Sequence, residues 1–233
     1  MKLIGLIGGM SWESTALYYR ELNLYVQARL GGLHSARTLL HSVDFHDVEQ
    51  MQRAGAWAEA GELLGRVAQS LEAGGADFIV LCTNTMHKVA SQIEAAVGIP
   101  LLHIVDPTAA ELRRAGLERV ALLGTRFTME ESFYRDRLRE VHGIEAVLPD
   151  AEDRAIVHRV IYEELVLGRV LPSSREQYRR IIGGLIERGA QAVILGCTEI
   201  TMLIDQTDAA VPMVDTTALH ARAAAQMAIA DAI

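Results

Sequence analysis

Two short apolar segments of this chain each end at a cysteine, and these are the two cysteines of the sequence. Cys82 follows residues 78–81, and Cys197 follows residues 192–196. Continuous apolar runs of this length are typical of buried strands, and open parallel sheets bind their ligands beyond the carboxyl ends of the strands. Two thiols at matching strand ends therefore restrict both the fold of the chain and the chemistry expected of it.

The two halves of the chain share further landmarks at nearly the same spacing. Gly8 precedes Cys82 by 74 positions, and Gly124 precedes Cys197 by 73 positions. Each of these glycines ends an apolar segment and opens a turn into a helical pattern, and after each cysteine a proline-led apolar segment ends in aspartate. This repetition predicts two similar halves related by an approximate two-fold.

Strand and helix signals alternate along the whole chain. Residues 3–7 and 39–45 are strand candidates, and residues 47–73 carry helical spacing interrupted at Gly55 and Gly61. Strands that alternate with helices form parallel sheets. We therefore predict an α/β fold with two pseudo-symmetric lobes, each a short parallel sheet flanked by helices, and an active site in the cleft between them.

The proline-led segments suggest where the chain passes from one lobe to the other. If each of these strands crosses over, residues 1–98 with residues 210–233 form lobe 1 and residues 99–209 form lobe 2. Lobe 1 then carries Cys82 and lobe 2 carries Cys197, and the last helix packs back on lobe 1. We expect both sulfur atoms to face one cleft, because ligands bind beyond the carboxyl ends of parallel strands.

Charge and composition argue against several classes of partner. The formal net charge is −8 and 5% of the residues are aromatic, whereas nucleic-acid surfaces need basic and stacking side chains. Residues 1–8 are too short and glycine-rich for a signal peptide, and the apolar runs fall short of a membrane span. We therefore expect a cytoplasmic protein with reduced thiols, and neither nucleic acid nor membrane as its partner.

The two thiols suggest proton transfer at a substrate carbon. A free thiol has a pKa of about 8.5, and backbone N–H groups at a helix N-terminus lower it, so we expect lowered pKa values for Cys82 and Cys197. A thiolate and a thiol on opposite faces of a carbon can remove one proton and deliver another, which inverts a stereocentre without metal or cofactor. The amides and hydroxyls of residues 83–85 and of Thr198 are expected to hold a carboxylate.

Cofactor and metal sites have little support in the sequence. A pyridoxal-phosphate racemase needs a Schiff-base lysine, and the only lysines are Lys2 and Lys88. His34, His41 and His46 are spaced so that they share no helical face, and no cysteine or carboxylate cluster accompanies them. We therefore predict neither a cofactor nor a metal.

Three motifs resemble the cofactor-independent aspartate/glutamate racemase superfamily. They are Gly8-Gly9-Met10, Cys82-Thr83-Asn84-Thr85 and Gly196-Cys197-Thr198-Glu199. Longer stretches at 11–15, 41–45 and 81–88 are similar to its branch of broad-specificity amino-acid racemases. The resemblance implies an isomerase of D-amino-acid metabolism with two pseudo-symmetric lobes, two-base proton transfer by the cysteine pair, no pyridoxal phosphate, and commonly a homodimer.

The motifs and the resemblance together suggest roles for individual residues. Cys82 and Cys197 would be the catalytic bases, and Glu199 would accept or relay the proton of Cys197, although charge pairing at a helix end explains Glu199 equally well. His87 is expected on the helix surface or behind the site rather than as a base. The residues expected to bind the amino-acid substrate are Met10, Gln52, Thr83, Asn84, Thr85, Thr125 and Thr198.

One departure from the acid-specific racemases bears on the substrate. Those members carry basic residues near the positions of Val48 and Val166, whereas both are valine here, with Arg53 or Arg169 as nearby substitutes. The sequence therefore favours broad specificity. Three alternatives stay open: an aspartate/glutamate-specific racemase, a single-cysteine isomerase of the hydantoin racemase or maleate isomerase type, and a non-catalytic binding or redox protein.

Overall fold

The computed structural model describes residues 1–230, which form two α/β units. Unit 1 comprises Met1–Ile104 and the residues from Thr217 onward, and unit 2 comprises Val105–Thr216. Each unit contains a four-stranded parallel sheet with helices packed on it. The predicted α/β fold, with a short parallel sheet flanked by helices in each lobe, is therefore confirmed. Residues 231–233, which the sequence assigns to lobe 1, lie outside the described residues.

Unit 1 begins with a strand and alternates strands with helices. Its strands are β1 (Ile4–Gly8), β2 (Thr38–Ser42), β3 (Phe78–Leu81) and β4 (Leu101–Leu102). Its first helices are α1 (Trp12–Leu30), α2 (Phe45–Ala54), α3 (Trp57–Ala73), a 3-10 helix (Thr85–Val89) and α4 (Ala90–Ala96). The strand order is β2-β1-β3-β4, and all neighbours are parallel.

Unit 2 repeats this arrangement. Its strands are β5 (Arg119–Gly124), β6 (Glu145–Val147), β7 (Val193–Gly196) and β8 (Met213–Asp215). Its α-helices are α5 (Val105–Arg114), α6 (Arg126–Glu130), α7 (Ser132–Asp136), α8 (Ala151–Glu163), α9 (Pro172–Glu187) and α10 (Ile200–Leu203). Unit 2 also contains a π-helical segment (Arg137–Val141) and two 3-10 helices (Leu165–Leu167 and Gln206–Asp208). The strand order β6-β5-β7-β8, again parallel throughout, matches that of unit 1.

The last helix of the chain, α11 (Thr216–Ile229), lies in unit 1 from Thr217 onward. It packs with α1 on one face of the sheet, where Leu6 and Val80 share a core with Tyr18 and Ala224. Leu81, the residue after Val80, belongs to a second core that contains α3. Because side chains alternate across a strand, the sheet of unit 1 is the middle one of three layers. Within residues 1–230, none of the helices is long and apolar enough to cross a membrane.

The proline-led strands stay with the sheets they follow. β4 pairs with β3, with Leu101 opposite Ile79, and β8 pairs with β7, with Val214 opposite Ile194. The sequence-based boundaries at 98/99 and 209/210 instead assign these strands to the other lobe. Parallel neighbouring strands are joined by a crossover connection. The connection from β3 to β4 contains α4, and the connection from β7 to β8 contains α10. The elements that change unit are the helices α5 and α11, since the chain passes between units after Ile104 and after Thr216.

The helical segment predicted at 47–73 consists of two helices. Gly55, which follows α2, has a left-handed φ of +69°, a conformation that favours glycine and ends the helix. Gly61 lies inside α3, so the interruption predicted there is wrong. A Cβ at Gly61 would collide with the side chain of Gln92 in α4. This glycine therefore serves the close packing of two helices.

Candidate active site

Cys82 directly follows β3, an inner strand of the sheet in unit 1 that pairs with β1. Its backbone N–H donates to the carbonyl oxygen of Ile7 at 2.9 Å, which extends the pairing of β1 and β3 by one residue. The side chain is fully buried in the core that α1 and α11 share. Its Sγ donates to the carbonyl oxygen of Val80 at 3.9 Å. The thiol therefore lies at the predicted strand end, in apolar surroundings.

Cys197 occupies the corresponding position after β7 in unit 2. It is partly exposed, and it packs against the core that includes Val193 and Leu195. Its Sγ donates to Oε2 of Glu199 at 3.0 Å, and Glu199 is itself buried. A carboxylate therefore lies against this thiol, whereas a backbone carbonyl lies against Cys82.

Burial raises the pKa of both thiols. For Cys197, the negative charge of Glu199 and the hydrogen bond to it raise the pKa further. The predicted lowering is wrong because the sulfur atoms are desolvated, and the backbone hydrogen bonds from Thr198 and Glu199 that lower the pKa of Cys197 do not outweigh this effect. Both cysteines are therefore protonated thiols at neutral pH.

Two of the expected substrate-binding residues of unit 1 are associated with one apolar cluster. Met10, Val48 and Met86 belong to the core that contains α3. Gln52 donates from Nε2 to Sδ of Met86 at 3.1 Å. The structure thus brings Met10 and Gln52 to the same cluster, while Cys82 belongs to the other core of the unit.

The predicted carboxylate-binding residues of unit 1 form one turn directly after the thiol. The N–H of Thr83 donates to the carbonyl oxygen of Leu81 at 2.9 Å, which folds the chain back at the strand end. Asn84 and Thr85 are buried, and Thr83 is partly exposed. The three predicted residues therefore lie together in the turn that follows Cys82.

The threonines predicted in unit 2 lie at neighbouring strand ends. Thr125 follows β5 and caps α6, since its side chain accepts from the N–H of Thr128 at 3.2 Å. Thr198 follows Cys197, and its carbonyl oxygen accepts from Oγ1 of Thr201 at 2.8 Å. Because β5 and β7 are paired, Thr125 and Thr198 lie at the same edge of the sheet.

A group of three buried histidines in unit 1 is not predicted by the sequence. The ring centroid of His87 lies 4.5 Å from that of His103 and 5.8 Å from that of His220. His87 is therefore buried rather than on a helix surface, which corrects that part of the expectation. The three residues come from separate parts of the chain, so no local pattern joins them. The one sequence feature that points to this group is the position of His87 within the motif at 81–88.

Within residues 1–230, no three histidine, cysteine, aspartate or glutamate side chains are grouped so that they would hold a metal ion. Lys88, on the 3-10 helix after Cys82, places its Nζ 4.0 Å from the ring centroid of Trp57. The ammonium group of Lys88 therefore makes a cation–π contact with Trp57.

Two parallel sheets with the same strand order, flanked by helices, form the fold of this chain, and solved structures of an aspartate racemase and a glutamate racemase share that fold. The chain belongs to the Asp/Glu/Hydantoin racemase family, whose family model matches residues 7–224. The resemblance inferred from the three motifs is therefore confirmed.

Similar proteins agree with this assignment. A crystal structure from Yersinia pestis, of a protein provisionally described as an Asp/Glu racemase, is 58% identical, with a TM-score of 0.94 and coverage of 98% of this chain and 100% of that chain. An aspartate racemase homologue from Pyrococcus horikoshii is 33% identical, with a TM-score of 0.83 and coverage of 98% and 99%. The broad specificity amino-acid racemase RacX of Bacillus subtilis is 24% identical over 94% of this chain and 95% of its own length.

Proposed function

We propose that this protein is an amino-acid racemase that uses no cofactor and inverts the Cα of its substrate by proton transfer between Cys82 and Cys197. The observation that carries the proposal is the equivalence of the two thiols. Each follows the strand that stands third in a sheet of the same order, and each is followed by threonine. Membership of a racemase family supports the reaction class. The protein would then be an isomerase with a small amino-acid substrate.

The proposed reaction needs one thiolate at a time. Glu199 lies 3.0 Å from Sγ of Cys197 and accepts its proton. The Cys197 thiolate then takes the α-proton of the substrate, and Cys82 gives its proton to the opposite face of the planar carbanion. The inverted substrate leaves Cys197 and Glu199 protonated and Cys82 as a thiolate, so the reverse reaction starts from Cys82. Solvent restores the resting state when Cys82 takes up a proton and Glu199 releases one. Each step moves one proton, and the total charge of the site and substrate is conserved.

The substrate side chain is proposed to be varied rather than strictly acidic. Val48, near which acid-specific relatives carry a basic residue, is fully buried in the cluster with Met10. Arg53 is 77% exposed and pairs with Glu49 on the same helix, so its charge is already balanced at the surface. Arg169 is exposed as well. The name of RacX, a broad specificity racemase, supports the same choice.

The α-carboxylate of the substrate is proposed to bind at the turns that follow the thiols. Thr83, Asn84 and Thr85 form the first of these turns, and Thr198 begins the second. Thr125 lies at the same sheet edge as Thr198 and is a further candidate. Hydroxyl and backbone N–H groups in such turns hold anions without a formal positive charge.

Solvent exchange tests the reaction. The purified, dialysed protein is incubated in D₂O with single acidic, neutral and basic L-amino acids, and loss of the α-proton signal and of optical rotation are followed together. We expect both losses, with neutral amino acids among the substrates. Exchange confined to aspartate and glutamate would instead support the acid-specific alternative. No exchange with any of the amino acids would reject the racemase proposal.

Serine substitutions test the two-base mechanism. Cys82→Ser and Cys197→Ser each replace a thiol by an alcohol that is not ionised near neutral pH, so we expect each to abolish racemisation. Melting curves of both variants serve as the folding control, since serine is nearly isosteric with cysteine. Full activity in either variant would refute proton transfer between the two thiols.

A second candidate is a single-cysteine isomerase of the same fold, and the unequal surroundings of the thiols favour it. Cys197 is partly exposed beside a carboxylate, whereas Cys82 is fully buried beside a carbonyl oxygen. In that case Cys197→Ser alone would abolish activity, and Cys82→Ser would retain it.

The resemblance to the racemases also implies a cytoplasmic homodimer, which we include in the proposal. Light scattering of the purified protein is expected to give the mass of two chains. The mass of one chain would contradict this part of the proposal and leave the chemistry unaffected.

A further inference from the structure

His87 connects the turn after Cys82 to the end of strand β4. Its Nδ1 lies 2.7 Å from the carbonyl oxygen of Thr83, and its Nε2 lies 3.1 Å from the backbone nitrogen of Ile104. Thr83 directly follows Cys82, and Ile104 is the last residue before the chain enters unit 2. One buried side chain therefore fastens the backbone beside the thiol to the point where the chain leaves the unit.

These two contacts fix the protonation of the His87 ring. A carbonyl oxygen only accepts, so Nδ1 carries a proton and donates it to Thr83. A backbone N–H only donates, so Nε2 presents its lone pair to Ile104. The ring is thus a neutral imidazole with both nitrogen atoms engaged. It acts as a bridge between two backbone segments rather than as a base.

A second buried histidine holds the same strand end. His220 of α11 accepts from the hydroxyl of Tyr18 at 2.7 Å and donates from Nε2 to the carbonyl oxygen of Leu102 at 2.8 Å. These bonds join β4 to α1 and α11. His220 therefore fastens the strand end, whereas His87 links that strand end to the Cys82 turn.

We propose that His87 is a positioning residue for Cys82. Its bond to the Thr83 carbonyl fixes the turn that aims the thiol, whereas its bond to the Ile104 N–H holds the chain after β4. This inference rests on the proposed function, in which Cys82 exchanges a proton with Cα. Sγ of Cys82 lies 3.9 Å from its backbone acceptor, a long contact, so the direction of the thiol depends on the backbone that carries it. A displacement of about 1 Å in a reacting group costs about 100-fold in rate.

Three substitutions separate the two bonds of His87. His87→Asn keeps an amide donor near the Nδ1 position for Thr83 and removes the acceptor of the Ile104 N–H. His87→Gln keeps an amide oxygen near the Nε2 position for Ile104 and removes the donor to Thr83. His220→Asn is the matched control, because it removes the bond to Leu102 in the same buried surroundings and leaves both bonds of His87 in place.

Thiol labelling reports on the Cys82 turn without relying on catalysis. Iodoacetamide labelling followed by peptide mass spectrometry gives separate rates for Cys82 and Cys197. In His87→Gln we expect Cys82 labelling to accelerate about tenfold, since a looser turn uncovers the buried thiol more often, and Cys197 labelling to stay unchanged. The kcat of racemisation should fall about 10- to 100-fold with KM within about threefold. His87→Asn and His220→Asn should both keep Cys82 labelling and kcat close to the wild-type values.

The comparison among variants decides the proposal. Equal effects of His87→Asn and His87→Gln, or an effect of His220→Asn as large as that of His87→Gln, would mean general loosening and overturn it. If His87→Gln does not fold, His87→Asn decides: the Ile104 amide must exchange faster with D₂O while Cys82 labelling stays at the wild-type rate, and any other result overturns the proposal. A wild-type protein without racemase activity would contradict the proposed function, whereas the labelling pattern would still support or overturn the role of His87.

Discussion

Cys197 and Glu199 form a hydrogen-bonded pair in which the carboxyl group of Glu199 influences the pKa of the thiol. Burial raises the pKa of the thiol, and the negative charge of Glu199, with the hydrogen bond of 3.0 Å, raises it further. The resting pair is therefore a neutral thiol beside a carboxylate. Cys82 reaches the same protonated state through burial in an apolar core.

Glu199→Gln is expected to change thiol reactivity and racemisation in opposite directions. Burial still holds the pKa of Cys197 above its ordinary value, but loss of the carboxylate charge lowers it relative to wild type, so more thiolate exists at a given pH. We expect iodoacetamide labelling of Cys197 at about pH 8 to accelerate about tenfold, because the thiolate is the reactive form. Racemisation should slow about 100-fold, because the proton acceptor is missing.

Glu187→Gln is the control for this prediction, since Glu187 is exposed at the end of α9. It should leave both rates at their wild-type values. Slower labelling of Cys197 in Glu199→Gln would contradict the electrostatic role of the carboxylate, and unchanged racemisation would contradict its role as proton acceptor.

Local motifs predict which residues form the candidate site better than they predict the surroundings of those residues. The placement of Cys82 and Cys197 at strand ends, with Glu199 in the following turn, is predicted from the sequence because a strand end and the turn after it are adjacent along the chain. The burial of Cys82 depends on α11, which comes from the other half of the sequence. The motif around Cys82 contains no information about that helix, so it does not show that burial raises the pKa of this thiol.

Glycine ends the first strand of each unit because the following helix approaches it closely. A Cβ on Gly8 would collide with the side chain of Thr15 in α1. A Cβ on Gly124 would lie 3.1 Å from Cβ of Thr128 in α6 and 2.9 Å from the carbonyl oxygen of Gly196 on β7. The glycines thus allow a helix and a neighbouring strand to pack against the same strand end.

Gly124→Ala is expected to lower the free energy of unfolding by about 1–3 kcal/mol, because the added methyl group must displace backbone on β7 or the side chain of Thr128. Urea unfolding at neutral pH measures the change. Gly183→Ala in α9 is the matched control, since a Cβ there meets open space. It should stabilise the protein by up to about 1 kcal/mol through helix propensity. Equal effects of the two substitutions would contradict the packing argument.

A buried carboxylate binds the 3-10 helix Gln206–Asp208 to α9. Asp208 accepts from Arg175 at 2.8 Å and from Arg179 at 2.5 Å, and its side chain is fully buried. Burial opposes the charge of Asp208, but hydrogen bonds from the arginines and from the backbone amide of Asp205 outweigh it and lower the pKa to about 2. The carboxylate therefore stays ionised at any physiological pH.

Asp208→Asn is expected to destabilise the protein in a pH-dependent way. The pKa of Asp208 is lower in the folded than in the unfolded state, so its stabilisation is present above about pH 4 and is lost as the pH falls toward 2. At pH 7 we expect the free energy of unfolding to fall by about 2 kcal/mol, and the difference from wild type should shrink between about pH 4 and 2. Urea denaturation across this pH range measures both.

Glu176→Gln removes an exposed partner of Arg179, one of the two arginines that bind Asp208. Glu176 is 76% exposed and lies 3.6 Å from Arg179, so its removal should leave stability nearly unchanged at every pH. A pH-independent loss of stability in Asp208→Asn would show that its carboxylate charge is not the cause.

Element boundaries are predicted less well than the elements themselves. The apolar pattern predicts one strand over residues 39–45, but β2 ends at Ser42 and α2 begins at Phe45. Asp44 caps that helix by accepting from the N–H of His46 at 2.9 Å. The apolar residues Val43 and Phe45 continue the pattern across the break, so hydrophobicity alone does not show where the strand stops.

Unit 1 is completed by a helix from the far end of the chain. Small side chains of α11 let the helix approach the sheet closely. Those in the core are Ala221, Ala224, Ala225 and Ala228. The two halves were recognisable from the sequence, but the points where the chain changes unit were not. Ile104 to Val105 and Thr216 to Thr217 are steps within continuous strand–helix connections, with no change of composition to mark them.

Ala224→Arg is expected to lower the free energy of unfolding by more than about 3 kcal/mol, because the position is fully buried and an arginine there is both oversized and unpaired. Hydrogen exchange followed by mass spectrometry should show lost protection in β1 and β3, while β5 and β7 keep theirs. Gln226→Arg places the same residue on the exposed side of α11 and should change neither. Lost protection in both sheets of Ala224→Arg would contradict a local role for α11.

The position of α11 also sets an order for synthesis on the ribosome. Unit 2 is encoded by one uninterrupted stretch, Val105–Thr216, so all of its strands are translated before α11 exists. The nascent sheet of unit 1 must wait for that helix through the translation of unit 2, a delay on the order of ten seconds at typical bacterial or eukaryotic speeds. During this interval the face that carries Leu6, Val80 and Cys82 has no α11 to cover it. The unit that leaves the ribosome first is therefore the last to be finished.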